Sequence, residues 1–241
     1  MLEPMLVLAI DTCGPSGSVA LGRLAGGAVD ILGQIELEGR SYSATLVAAV
    51  SDLLAHNGAA LRQLGAIVAV NGPGSFTGVR VGLSAVKGFA EAARIPVVAV
   101  SRLEVLAAKA GVPGDGSLSP GWKAGLGSAA LDAHRHEVFL RLGRQEMEAT
   151  EMLAGAQELA GIDPAGARIA VCDDAAAALL ASAWPDAELV RTPPPTAADA
   201  LELCAPHAVA GEFVDVALLD GHYLRRSDAE IFGEPAAPQR L

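Results

Sequence analysis

Two hydrophobic periods alternate along this chain and lay out an α/β protein. Continuous apolar runs mark strands buried on both faces at Met5–Ile10 (MLVLAI), Ile67–Val70 (IVAV) and Pro96–Val100 (PVVAV). Further strands are predicted at Ser18–Leu21, Val29–Leu37, Gly127–Asp132, Glu137–Leu142, Gln145–Thr150, Arg168–Cys172 and Glu188–Val190. Helical spacing covers Ser43–His56, Thr77–Ala93, Leu103–Ala110, Ala156–Ala160, Asp174–Ala183 and a last helix from Thr196 to about Ala210. Three strands joined by short turns thus precede a run of helix, strand, helix, strand, helix. Hairpins first and crossovers afterwards imply a mixed sheet whose later strands are parallel. The Gly-, Pro- and Ser-rich stretch Gly111–Gly125 marks a subdomain joint. The expected division is 1–110, a smaller unit 111–213, and a tail 214–241 whose polar, proline-bearing end frays.

One stretch organises the rest: IVAV, the loop Asn71–Gly78 (NGPGSFTG), and the helix that follows. The loop uses Gly72, Gly74 and Gly78 because only glycine accepts positive φ and close backbone approach without a Cβ penalty. Ser75 or Thr77 caps the helix. Val79, Leu83, Val86, Ala90 and Ala93 form its apolar face, and Gly78, Gly82 and Ala85 a second stripe of small residues. Glycine inside a helix costs about 1 kcal/mol relative to alanine, so the stripe implies that another backbone lies very close. That backbone belongs either to another chain or to this protein's own sheet. In the preceding helix Leu46, Val50 and Leu53 make one apolar face, and Val47 and Leu54 widen it beyond what a helix with one wet side needs.

Composition narrows the partners. The chain is 51% hydrophobic but only 4% aromatic, so its core is alanine, leucine and valine. No apolar run approaches the roughly 18 residues that span a bilayer, and the opening MLEPMLVLAID lacks a basic leader, so neither membrane nor signal peptide is expected. Cys13, Cys172 and Cys204 follow no ligand pattern and read as inert thiols of a reducing cytoplasm. The net charge of −11 opposes direct binding to phosphate backbones, which need Lys and Arg. If the protein works on RNA, a partner must supply the positive surface.

Several segments in order then identify a family: LAIDT with a Gly/Ser turn and SVAL, NGPGSFTGVRVGLSAVKGFA, IPVVAVSRLEVLA, LDAHRHEVF and HYLRR. They resemble the TsaB (YeaZ) family, bacterial tRNA threonylcarbamoyladenosine biosynthesis proteins, over nearly the whole chain. The resemblance implies an α/β, actin-like and Hsp70-like fold of duplicate ribonuclease H-like subdomains, with mixed sheets flanked by helices. It implies a non-catalytic subunit that stabilises and activates a longer catalytic paralogue, TsaD, with a small ATPase, TsaE, as third partner, for modification of the adenosine beside the anticodon. tRNA is then reached only through the complex, and no cofactor is required. The chain departs from the family at Tyr42-Ser43-Ala44, where most relatives have His-Ser-Glu.

The catalytic paralogue holds its metal with two histidines four residues apart, and the equivalent positions here are Arg102 and Leu106. Neither can ligate a cation, so no metal is expected there. His134 and His136 alternate, as strand residues facing one way would, but have no evident third ligand; the family carries Asp-Ala-Arg-Arg-Gly-Glu-Val at this place, so they read as surface residues. Asp132 and Glu137 bracket the same hairpin and read as structural or interface residues. Asp11 and Thr12 follow the first strand, where actin-like ATPases keep a carboxylate for magnesium and phosphates. Gly72, Gly74 and Ser75 could cradle an anion through backbone N–H groups, with Arg80 nearby. No GK[ST] follows, so this is not a Walker A loop, and any ATP or ADP binding is expected to be weak and vestigial. No Ser-His-Asp order or Cys-His pair is visible.

The expected partner interface is Leu46, Val47, Val50, Leu54, Gly78, Gly82, Ala85 and Phe89, on two helices that would pair with the same two of TsaD in a four-helix bundle. The same surface would make a two-fold homodimer when the chain is alone. The competing reading is an independent ATP-dependent kinase of the actin-like superfamily, which would need Asp11 for magnesium.

Overall fold

The computed structural model describes residues 4–25, 28–39, 41–111, 127–144, 147–164 and 168–225. Most of the joint predicted at Gly111–Gly125 lies outside them, as does the chain after 225. The first half forms strands β1 (Met5–Asp11), β2 (Ser16–Ala25) and β3 (Ala28–Glu38), helix α1 (Tyr42–His56), β4 (Leu64–Val70), α2 (Phe76–Ala93), β5 (Val97–Val100) and α3 (Arg102–Gly111). The second half repeats that order with β6 (Ser128–Asp132), β7 (Glu137–Arg144), β8 (Met147–Gly155), α4 (Ala156–Ala160), β9 (Arg168–Val171), α5 (Asp174–Ala183), β10 (Glu188–Arg191) and α6 (Ala197–Ala210).

The sheets repeat one another too. Strand order is β3-β2-β1-β4-β5 in the first and β8-β7-β6-β9-β10 in the second. In each, the first three strands are antiparallel and the last two run parallel to the first. Parallel neighbours need a crossover, and here each crossover is a helix. Two mixed sheets with matching topology are the duplicated ribonuclease H-type arrangement of the actin-like class.

Helix α2 begins where Ser75 accepts a hydrogen bond from Gly78 N–H and ends at a left-handed Arg94. Helix α1 closes on Asn57, with the left-handed turn taken by Gly58 at φ +61°. Thr196 and Asp199 form a reciprocal cap on α6.

The division at 110 and 213 changes in one respect, because the last helix of each half crosses over. Leu103, Leu106 and Ala107 of α3 pack on Ala129, Leu131, Phe139 and Ala170 of the second sheet. Ala197, Ala200, Leu201 and Cys204 of α6 belong to the core of the first sheet. Alternation explains the fit: Ala129 and Leu131 of β6 face α3, whereas Ala130 faces the α5 side. On the first sheet Gly33 meets Leu53 of α1 and Gly22 meets Leu201 of α6, so α1 and α6 cover opposite faces. Helices α3 and α6 touch each other between the sheets, which welds the halves together.

The described part of the tail is tied to the body of the protein, and the end expected to fray lies outside the described residues. Val214 N–H bonds Val97 O at 2.9 Å on the free edge of β5, and His222 N–H bonds Asn71 O at 2.7 Å. Arg225 reaches Ala133 O at 2.9 Å and the Glu137 carboxylate. Residues 214–225 therefore form a strap across both halves.

Candidate functional site: a closed turn cluster and an open helical groove

Ligands of open α/β sheets gather at the carboxyl ends of parallel strands. Here β1, β4 and β5 end side by side at Asp11, Val70 and Val100, followed by the Asp11–Gly14 turn, the Gly-rich loop and the start of α3. Asp11 and Thr12 are 1% exposed. Asp11 Oδ1 accepts the Cys13 N–H at 2.8 Å, and Asp11 Oδ2 lies 3.2 Å from Arg102 Nε in a buried ion pair. Burial alone would make the Arg102 guanidinium easier to deprotonate, but Asp11, with Cys13 and Cys172 adding to it, prevails and raises it above the ordinary value. Burial pushes the Cys13 thiol well up, with the Asp11 charge adding to it, so that thiol is inert.

The Gly-rich loop folds onto this turn. Ser75 N–H bonds Cys13 O at 2.8 Å, Thr12 Oγ1 donates to Gly78 O at 2.7 Å, and Arg102 N–H bonds Gly72 O at 2.6 Å. Gly72 holds φ +118°, which a side chain would strain. A Cβ at Gly74 would fall on Cys13 O, one at Gly78 on Thr12 O, and one at Gly82 on Thr12 Oγ1. The two glycines of the small-residue stripe are therefore covered by the chain's own turn and do not offer themselves to another chain. Tyr42 stands where the family has histidine; its hydroxyl donates to Gly14 O at 2.9 Å, and burial raises it to about 12.

Asp11, Thr12, Gly72, Gly74 and Ser75 are thus brought together, but they satisfy one another. A magnesium ion at Asp11 would have to displace a buried guanidinium, so the donor set does not fit a cation. Arg80 is separate from this cluster. Its guanidinium lies 3.7 Å over the Phe76 ring centroid, and its Nε donates to Tyr223 Oη at 3.3 Å. His134 and His136 sit in the tight β6–β7 turn, with φ of +60° and +62°, rather than on a strand.

A second polar cluster, unforeseen from sequence, joins the halves. Glu151 on β8 accepts Ser101 Oγ at 2.7 Å, His222 Nε2 at 2.8 Å and Arg141 Nη1 at 2.5 Å. Burial opposes ionisation of Glu151, but the His222, Ser101 and Arg141 hydrogen bonds together prevail and hold its carboxyl below the ordinary value. Serine and histidine both bond the same carboxylate oxygen, so no nucleophile–base pair exists in this cluster. Its one sequence signal is a carboxylate on the same strand face as Leu153, which packs on the α3 side.

The outer faces of α1 and α2 enclose an open groove of about 650 Å³ lined by Val47, Phe76, Val81 and Ala85 among others. Val47 is 59% exposed and Phe76 44%. Of the expected interface set, Val47 faces solvent and Ala85 and Phe89 are half-buried, while Leu46, Val50 and Leu54 are used by the protein's own core. Phe76 and Tyr223 belong to the exposed surface and were missed, Phe76 because it reads as part of the loop and Tyr223 because it lies far along the chain from the two helices.

The fold and this cluster define an actin-like protein of two ribonuclease H-type halves. The family described as TsaD, tRNA N6-adenosine threonylcarbamoyltransferase, matches residues 34–167, more than half of the chain. The chain belongs to that family, among its TsaB (YeaZ) members. It is 34% identical over 138 residues to the tRNA threonylcarbamoyladenosine biosynthesis protein TsaB of Escherichia coli (strain K12), covering 56% of this chain and 53% of that protein. To the TsaB of Bacillus subtilis (strain 168) it is 36% identical over 138 residues, 57% of this chain and 55% of that protein. The chain thus spans about half the length of the curated relatives it matches. The solved YeaZ from Pseudomonas aeruginosa superposes with a TM-score of 0.67 at 28% identity, over 91% of this chain and 100% of that one. Among the described residues, no helix is long and apolar enough to cross a membrane.

Proposed function

We propose that this protein is a non-catalytic subunit of the assembly that forms threonylcarbamoyladenosine in tRNA, and that it works by docking a TsaD-type paralogue on its α1–α2 face. The observation that carries this reading is the Asp11–Arg102 pair, 3.2 Å apart and buried. An internal guanidinium stands where a catalytic relative would need a cation, and the loop that could hold phosphates is spent on the chain's own turn. The same pair weighs against an independent kinase, whose Asp11 would have to be open to magnesium. The exposed side chains of the groove supply apolar surface of the kind that marks a protein contact.

On this reading a TsaE-type ATPase joins as third partner, tRNA is engaged only through the complex, nucleotide binding by this chain is weak at most, and the work is done in the cytoplasm. Without its partner the chain pairs with itself. The test is a tRNA modification assay with a purified TsaD-type paralogue, with and without this chain, after co-purification of the two. The expected result is no transfer by this chain alone and a marked rise when it joins the paralogue. Transfer by the isolated chain, or a paralogue indifferent to it, would overturn the reading.

A further inference from the structure

Arg80 is the only charged side chain among the described residues that line the α1–α2 groove. The whole chain carries a net charge of −11, yet no described carboxylate comes within ion-pair distance of this arginine. Its position is built. Phe76 covers one face of the guanidinium at 3.7 Å, and Tyr223, 6.0 Å to its ring centroid, takes the Nε hydrogen bond. Guanidinium donors lie in the plane of the group, so stacking on Phe76 does not use them, and the terminal N–H groups have no acceptor among the described residues. Tyr223 is in turn held by its neighbours on the strap, His222 through Asn71 O and Glu151, and Arg225 through Ala133 O.

We propose that Arg80 is the polar anchor of the docking face and takes a carboxylate from an otherwise apolar helix of the partner. This rests on the docking reading above and adds to it the chemistry that the partner must bring. A second copy of this chain fits less well. A two-fold interface brings the same patch against itself, and the groove lining holds no carboxylate to meet the other copy's Arg80. A paralogue of similar fold that carries an acidic residue on the facing helix satisfies both the apolar walls and the lone cation. Arginine stacked beside aromatic rings in a groove with exposed apolar side chains is the composition found at energetic hot spots of interfaces.

The test measures binding of the full chain to a purified TsaD-type paralogue by calorimetry at low and high salt, with urea unfolding to verify that each variant is folded. Val47→Asp probes the groove without touching Arg80, and Arg80→Gln removes the charge together with the stack on Phe76 and the Nε hydrogen bond to Tyr223. The expected outcome is loss of binding for Val47→Asp, and for Arg80→Gln an affinity lower by about tenfold with a flatter salt dependence. If Val47→Asp abolishes binding while Arg80→Gln binds like the parent at both salt concentrations, the anchor is refuted and the docking face stands. If Val47→Asp binds normally, the docking reading itself falls and the anchor with it. Self-association in place of binding to the paralogue would also refute the proposed occupant.

Discussion

Replacing Arg102 by methionine keeps most of its volume and removes the positive end of the Asp11 pair. The side chains of Arg102 and Asp11 are 7% and 2% exposed, so water cannot take over from the guanidinium. An uncompensated buried charge of this kind costs about 3–5 kcal/mol. For a chain of this size the corresponding drop in Tm is roughly 6–20 °C. The double variant Asp11→Asn with Arg102→Met has no charge to strand and should recover at least about 2 kcal/mol of the summed single losses. Urea unfolding of the four proteins at pH 7 measures both. A single-variant loss below about 1 kcal/mol, or a double variant no more stable than the two single losses add up to, would refute the claim that Arg102 acts as the internal cation.

Gly82→Ala should cost about 1–3 kcal/mol, because its Cβ would fall on Thr12 Oγ1; a urea midpoint equal to the parent's would show that the α2 stripe is not packed on the turn. His136→Gly should stabilise the fold by about 0.5–1 kcal/mol: it relieves a left-handed residue at φ +62°, and the looser unfolded chain takes back only part of the gain. An unchanged or lower Tm would contradict this. Glu151, held below the ordinary 4.5 by its three hydrogen bonds, contributes stability above that value and loses it as pH falls through its depressed one. The stability of Glu151→Gln should accordingly be lower at pH 6 and fall less steeply below pH 4.5, and parallel acid profiles would disprove the role assigned to this cluster.

The order of elements was legible because each depends on local rules. MLVLAI and PVVAV have the apolar continuity of central strands, and Thr196 marks the start of the last helix. The Gly72–Gly78 loop was legible as a place where backbones meet, since glycine at those positions has no other use. What the glycines meet was not: a small-residue stripe looks the same whether Thr12 or another chain fills it. Arg102 shows the same limit from the other side. Its residue type speaks against a metal ligand, but only the arrangement of β1 beside β4 and β5 reveals that its guanidinium reaches Asp11, far away in sequence.

By itself, then, the sequence determined the element order, the mixed character of the first sheet and the family, all of which are carried by short-range patterns of side-chain size and polarity. Tertiary structure alone decided three things. It exchanged α3 and α6 between the halves, turned the candidate phosphate loop inward, and carried Arg80 away from that loop to the groove. Each depends on which surfaces meet across long stretches of chain, and burial, hydrogen bonding and charge pairing are settled only when those surfaces close.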